Sequence, residues 1–337
     1  MAQLLGFSLL SLFITAILII PFIDFLYKIK LRRQKQSTVD IFNKPTPLFD
    51  KFNGWKVGTP FGGGLLIVVV CSILFLWSFG ILNININIWE LFVILFTFIS
   101  FGLLGLYDDA KKLVNGNKTI PFFGLRFRYK FLLQWILALV PATILSVKLG
   151  YSFLFIRGIG LTDIGYLYIP FAAFVIVSFA NAFNIADGLD GLSPGLLLIC
   201  LVSFLTISYS NVDQGLGVFI AILMGSVAAF LYFNIYKARI WLGDVGSMSL
   251  GASLAIVGLL TGKILALAVI GGVFVLEVGS SLIQILGKKI LKRKVLPVAP
   301  IHLYFQKRGW EEPKIVMRAW LMGVVFAILG LYLAFIK

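Results

Sequence analysis

Apolar runs separated by short polar or glycine-containing joins recur along the whole chain. Runs of about 17 to 25 residues, long enough to cross a hydrocarbon core as a helix, fall at roughly 4 to 27, 61 to 80, 88 to 107, 130 to 149, 166 to 183, 193 to 210, 216 to 233, 244 to 261, 264 to 286 and 317 to 336. About ten transmembrane helices are expected, the seventh to ninth parted only by short joins near Gly243 and Gly262. The first run lacks a small-residue cleavage site after a short core, so it reads as a retained helix and not a signal peptide. The expected fold is all-α, a polytopic integral membrane protein forming one domain over residues 1–337.

Composition agrees with the pattern. Hydrophobic residues make up 60% of the 337 and charged residues 13%, well below the roughly 25% charged composition of soluble domains. Mean hydropathy is +1.02. Charge then adds an orientation. Of the 29 Lys and Arg, all but Lys148, Arg157, Lys263 and Lys337 fall in the connections after spans 1, 3, 7 and 9. Positive residues mark the cytoplasmic side, which places those connections inside the cell and both termini outside. The net charge of +15 largely records this asymmetry and suits anionic membrane lipids; no motif supports nucleic acid as a partner. Cys71 and Cys200 fall within spans without metal-ligand spacing, as buried thiols do. The alternation NININI at 83–88 reads as a loop, and the longest connections, 28–60 and 287–316, combine Pro, Gly and basic residues.

Against this background the acids stand out. Asp108, Asp109, Asp187, Asp190 and Asp244 all fall beside apolar sequence at the ends of spans on the cytoplasmic side. A charged Asp in a bilayer costs about 2.5–3.5 kcal/mol on insertion scales, so such residues are candidates for function. Each also has an ordinary structural reading. YDDAKK at 107–112 could end a helix, although acids there oppose the macrodipole. ADGLDG at 186–191 could be a pair of Asx turns. Asp244 in WLGDVGSMSLG could cap a helix. All three ordinary readings must hold together to remove the signal. With one histidine, His302, in the chain, a zinc site is disfavoured. Several carboxylates with many Lys and Arg suit Mg²⁺ and phosphoryl transfer, and the absence of G-x-x-x-x-G-K excludes a P-loop.

The segments LYDDAKK (106–112), NAFNIADGLDGLSPG (181–195), FNIYKARIWLGDVGSMSLG (233–251) and APIHLYFQKRGWEEPKIVMRAW (299–320), in this order, resemble the polyprenyl-phosphate N-acetylhexosamine-1-phosphate transferase superfamily, and within it the muramoyl-pentapeptide branch. The likeness begins at KVGTPFGGG (56–64) and runs through the last span. It implies ten helices, an active site on the cytoplasmic face of a bacterial inner membrane, a Mg²⁺ cofactor, a UDP-linked sugar donor, undecaprenyl phosphate as acceptor, UMP release and a homodimer. It further implies that Asp108 and Asp109 form the catalytic aspartate pair with Lys112 following, and that Asp244 binds the metal. Asn184, Asp187 and Asp190 would contact the nucleoside, with Asn234 and Gly243 beside it and Trp241 standing where the family has a stacking Phe. Lys56 would lie near the pyrophosphate, and Lys130, Gln134 and Gln284 match further family positions.

Two departures bear on the substrate. The branch has three consecutive histidines followed by Phe-Glu, whereas this chain reads His302, Leu303, Tyr304, Phe305, Gln306; and TPFGGG replaces the usual TPTMGG. GWEEPK and MRAW still match the muramoyl branch. The alternatives are transfer of another N-acetylhexosamine 1-phosphate and, from another class, an ion-coupled transporter. A transporter more often buries its acids near the midplane in broken helices, and here they gather at one face. Asp108 as a base and Asp108 as a metal or positioning group both remain open at this point.

Overall fold

The structure, a computed structural model, describes every residue except 34–44, 83–85, 116–124, 126, 157–159, 212 and 337. Lys35, Lys44, Lys118, Arg126, Arg157 and Lys337 of the charge pattern, and the first half of the 83–88 alternation, lie outside the described residues. Among the described residues thirteen α-helices follow one another: α1 Ala2–Lys28, α2 Pro47–Asn53, α3 Gly63–Leu82, α4 Ile88–Asn115, α5 Phe127–Val147, α6 Tyr168–Ala186, α7 Leu192–Ser210, α8 Gln214–Asn234, α9 Gly243–Leu260, α10 Ile264–Ile270, α11 Gly272–Ile290, α12 Ile301–Lys307 and α13 Glu312–Phe335. Among the described residues, nine helices are each long and apolar enough to cross a membrane, and a tenth span results if α10 and α11 are taken together.

Two features differ from the sequence reading. The expected ninth span is broken: α10 and α11 meet at a 79° bend. Gly271 and Gly272 stand at the break, where glycine pairs commonly interrupt helices, and a Cβ on Gly271 would lie 2.7 Å from the Phe179 ring. The chain is also not wholly helical. Strands β1 Phe153–Ile156 and β2 Gly160–Asp163 pair antiparallel in the connection between α5 and α6, with Phe153 opposite Asp163. Two short apolar runs around glycines carry the signal for such a hairpin, but over so few residues it does not stand out from a loop.

The bundle is built around α9, every residue of which from Val245 to Leu260 is buried. Helices α3, α4 and α6 lie against it. Water is not available to drive such packing inside a bilayer, so close approach of backbones does the work. At Gly105 of α4 an added Cβ would sit 2.2 Å from the Asp244 carbonyl oxygen. On the other side of the core, α8 packs along α1. Ser11 Oγ donates to the Ile222 carbonyl at 2.6 Å, and Thr15 Oγ1 pairs with Ser226 Oγ at 2.9 Å. The outward faces of α1, α5 and α13 expose large apolar side chains such as Phe13, Ile17, Ile136, Leu321 and Ile328, as a lipid-facing surface requires.

A Cβ on Gly225 of α8 would lie 1.9 Å from the Ser8 carbonyl oxygen of α1, so Gly225→Ala must push these helices apart. Such overpacking costs about 1–3 kcal/mol, and the detergent-solubilised variant is expected to melt several degrees lower. An unchanged melting curve would mean that α1 is not seated on α8 in this way.

Candidate active site

The fourth helix outlasts its apolar run by two turns, ending at Asn115. Asp108 and Asp109 are therefore helical residues, and Lys112 lies one turn below both. Its Nζ is 2.9 Å from Asp108 Oδ2 and 3.2 Å from Asp109 Oδ1. Asp109 faces α9, where its Oδ2 accepts the Val245 N–H at 3.1 Å. Val245 belongs to the first turn of α9, whose N–H groups have no partner inside the helix and favour a negative charge. Asp108 Oδ1 accepts the Leu125 N–H at 2.5 Å, and both aspartates are buried.

Asp244 completes the group from the start of α9. Gly243 has φ +72, a conformation few side chains tolerate, and a Cβ there would also lie 2.6 Å from Asp109 Oδ2. The turn is tied to the start of α3: the Gly63 and Gly64 N–H groups donate to the Trp241 and Leu242 carbonyls at 2.8 and 3.0 Å. Asp244 Oδ2 then lies 2.8 Å from Lys112 Nζ and 2.6 Å from Lys130 Nζ, and Lys130 also reaches Asp108 Oδ2 at 3.5 Å. Asn184 Nδ2 donates to Asp244 Oδ1 at 2.9 Å and to Ser247 Oγ at 2.6 Å, which fixes the carboxylate from the α6 side. Asp108, Asp109 and Asp244 each offer an oxygen within 4.8 Å of the others, close enough to share one cation.

A second polar group centres on the connection between α6 and α7. Lys56, fully buried, reaches Glu312 Oε1 at 2.6 Å and Asp190 Oδ1 at 3.2 Å, and donates to the Gly188 carbonyl at 3.2 Å. Asp190 in turn accepts the Ala238 N–H through Oδ2 at 2.9 Å. Asn234 bridges the same loop, accepting the Gly191 N–H at 3.0 Å and donating to the Ile240 carbonyl at 2.8 Å. Trp241 has Lys56 Nζ and Arg33 Cζ within 4.9 and 4.8 Å of its ring centre, cation–π distances. Asp187 Oδ1 accepts the Ser193 hydroxyl at 2.5 Å.

The structure thus brings Asp108, Asp109, Lys112, Lys130, Asn184 and Asp244 into one network, and Lys56, Asp190, Asn234 and Trp241 into a neighbouring one. His302 approaches the second through Gly188, on which a Cβ would lie 2.7 Å from His302 Nε2. Gln134 accepts from Asn181 Nδ2 at 2.8 Å on the α5–α6 contact. Gln284 is placed differently: its amide accepts from Val295 and Leu296 N–H and donates to the Leu296 carbonyl, all within 3.1 Å, so its hydrogen bonds hold the connection after α11. Three contributors escaped the sequence reading. Glu312 binds Lys56 and also accepts the Asp190 N–H at 2.6 Å; Glu277 binds His302; Arg33 lies over Trp241. Glu277 carried a usable signal, an acid inside an apolar span.

Burial pushes the Asp187 carboxyl up from 3.8 to about 8, against the opposing pull of the Ser193 hydrogen bond. Between these values the folded chain keeps a proton that the unfolded chain has released, so this group's contribution to stability falls as pH rises across the window. Asp187→Asn, neutral throughout, is expected to flatten the decline in melting temperature between about pH 5 and 8. Parallel declines in variant and wild type would contradict that burial.

The glycosyl transferase family 4 pattern matches residues 91–262, which contain both aspartates of α4, the α6–α7 loop and Asp244. The phospho-N-acetylmuramoyl-pentapeptide-transferase of Borrelia turicatae (strain 91E135) is 34% identical over 350 aligned positions, covering 97% of this chain and 93% of its own. The protein of that name from Pelagibacter ubique (strain HTCC1062) is 35% identical over 343 positions, covering 95% and 90%. A third, from Rickettsia rickettsii (strain Sheila Smith), is 38% identical over 303 positions, covering 82% and 80%. Similarity at this level along nearly the full length of both chains shows that this polytopic membrane protein belongs to glycosyl transferase family 4 and, within it, to the phospho-N-acetylmuramoyl-pentapeptide-transferases.

Proposed function

We infer that this chain transfers phospho-N-acetylmuramoyl-pentapeptide from its UDP-linked donor to undecaprenyl phosphate, giving lipid I and UMP. In this reading the site opens on the cytoplasmic face of a bacterial plasma membrane, with both termini on the opposite side. The observation that carries it is the gathering of Asp108, Asp109 and Asp244 around the Lys112 and Lys130 ammonium groups, at the ends of membrane-spanning helices.

The donor set fits Mg²⁺. It offers carboxylate oxygens alone, as this hard cation prefers, and Asn184 and the Val245 N–H orient two of them. Asp108, Asp109 and Asp244 would hold the ion, which when bound would neutralise the donor's diphosphate and the departing UMP. The acceptor phosphate has a second pKa near 6 and is largely a dianion at neutral pH, so the main obstacle is bringing one anion onto another. Lys112 and Lys130 supply mobile positive charge for that approach.

Asp108 suits positioning better than proton abstraction. One oxygen accepts the Leu125 N–H and the other faces Lys112 and Lys130, so both are already engaged in holding neighbouring groups. The nucleoside end of the donor would rest on the loop from Asp187 to Gly191, with Trp241 offering an aromatic face for the base. Lys56 would hold that loop and lie near the diphosphate. His302 would meet the donor beside Gly188. Leu303 is buried and apolar, so it supplies no polar group in place of the second histidine of the branch, and Tyr304 packs its ring on Phe305.

The decisive experiment follows UMP release by purified protein with undecaprenyl phosphate and Mg²⁺, comparing UDP-N-acetylmuramoyl-pentapeptide with UDP-N-acetylglucosamine. Release with the muramoyl donor alone, lost in Asp244→Ala, is expected; release with the other donor alone would transfer the assignment to a different N-acetylhexosamine. Asp108→Asn is expected to reduce kcat by at least about 100-fold, the scale of losing a preorganised electrostatic group, equally at low and high pH. A loss concentrated at low pH, where the lipid phosphate is protonated, would restore the role of base.

A further inference from the structure

Glu277 is an acid on the inner face of α11, far in sequence from the aspartates. Its Oε2 lies 3.0 Å from His302 Nδ1, and both side chains are buried, 3% and 2% exposed. A carboxylate so placed is costly without a partner, and His302 is the partner the structure provides. Acceptance of the Nδ1–H by a carboxylate fixes both the tautomer and the orientation of an imidazole. The opposite nitrogen, Nε2, then faces Gly188. The charged groups around this edge are Asp187 and Asp190 on either side of Gly188, Lys56, which donates to the Gly188 carbonyl, and Glu312 beyond Lys56. The bare Cα of Gly188 is what allows the ring to come so close.

We propose that Glu277 is a positioning residue for donor binding, holding His302 so that Nε2 is presented at the Asp187–Gly191 loop. The assignment rests on the transferase reading above, in which that loop receives the donor. It gives a function to a carboxylate that, among the described residues, is not hydrogen-bonded or ion-paired to the aspartate cluster or to Lys56, and it explains why the single histidine is anchored from α11 instead of from its own short helix.

The test measures kcat and KM for UMP release at one fixed pH, with the muramoyl donor varied, for wild type, Glu277→Gln, His302→Ala and the double variant. Glu277→Gln is expected to lower kcat/KM about tenfold, as for other histidines that lose an orienting carboxylate, mainly by raising KM. His302→Ala should raise KM at least as far, and the double variant should lose nothing more. Gly188→Ala, which pushes on Nε2 and leaves Glu277 intact, should raise KM in the same way and keeps the proposal testable if Glu277→Gln does not fold. A lower kcat with unchanged KM in Glu277→Gln, or additive losses in the double variant, would overturn the assignment while leaving the transferase reading intact. No UMP release by the wild type with either donor would remove both.

Discussion

The architecture depends on one contact, the approach of α4 to the N-terminal turn of α9. Gly105 lets the α4 backbone come against the carbonyl of Asp244, and this brings the Asp108–Asp109 pair within reach of the first N–H groups of α9. Lys112 and Lys130 then bind the assembled carboxylates. The ammonium groups and the helix end satisfy charges that would otherwise have to leave the protein interior. Removing one partner from such a buried arrangement costs about 3–5 kcal/mol, so the same contacts that place the reactive groups also stabilise the end of the bundle.

The second polar group solves a different problem. The α6–α7 connection must turn sharply between two apolar helices and remain fixed enough to receive a ligand. It is held from several independent elements: Lys56 before α3, Asn234 at the end of α8, and Glu312 at the start of α13. Trp320 of α13 adds a hydrogen bond from its indole N–H to the Gly191 carbonyl at 3.2 Å. Segments far apart in the chain thus converge on five residues, which accounts for the dispersal of the recognisable motifs along the sequence.

The spans and the aspartates were legible because both signals are strong in one dimension. An apolar run of twenty residues is hard to accommodate anywhere but in a bilayer, and a charge such as Asp244 next to one is costly enough to require a reason. The break at Gly271 was harder to see, because hydropathy averages across it and the two glycines resemble ordinary small packing residues. Glu312 and Glu277 were missed because their meaning lies in partners more than twenty positions away, Lys56 and His302. Gln284 carried a polar signal in a span, yet its partners proved to be backbone groups of the following connection, information present only in three dimensions.

Helix α9 is enclosed along its length, whereas α11 turns away from α10 by 79° and exposes Leu276, Ile283 and Ile290. Bilayer thickness and lateral pressure act first on helices with a face in the lipid. Mechanical changes in the membrane therefore reach the site unevenly. Asp244 sits on a helix enclosed by the bundle, while Glu277 rides on α11 and the Asp108–Asp109 pair on α4, which exposes Phe92 and Leu103, so a change of lipid composition should be felt at those two edges before it is felt at Asp244.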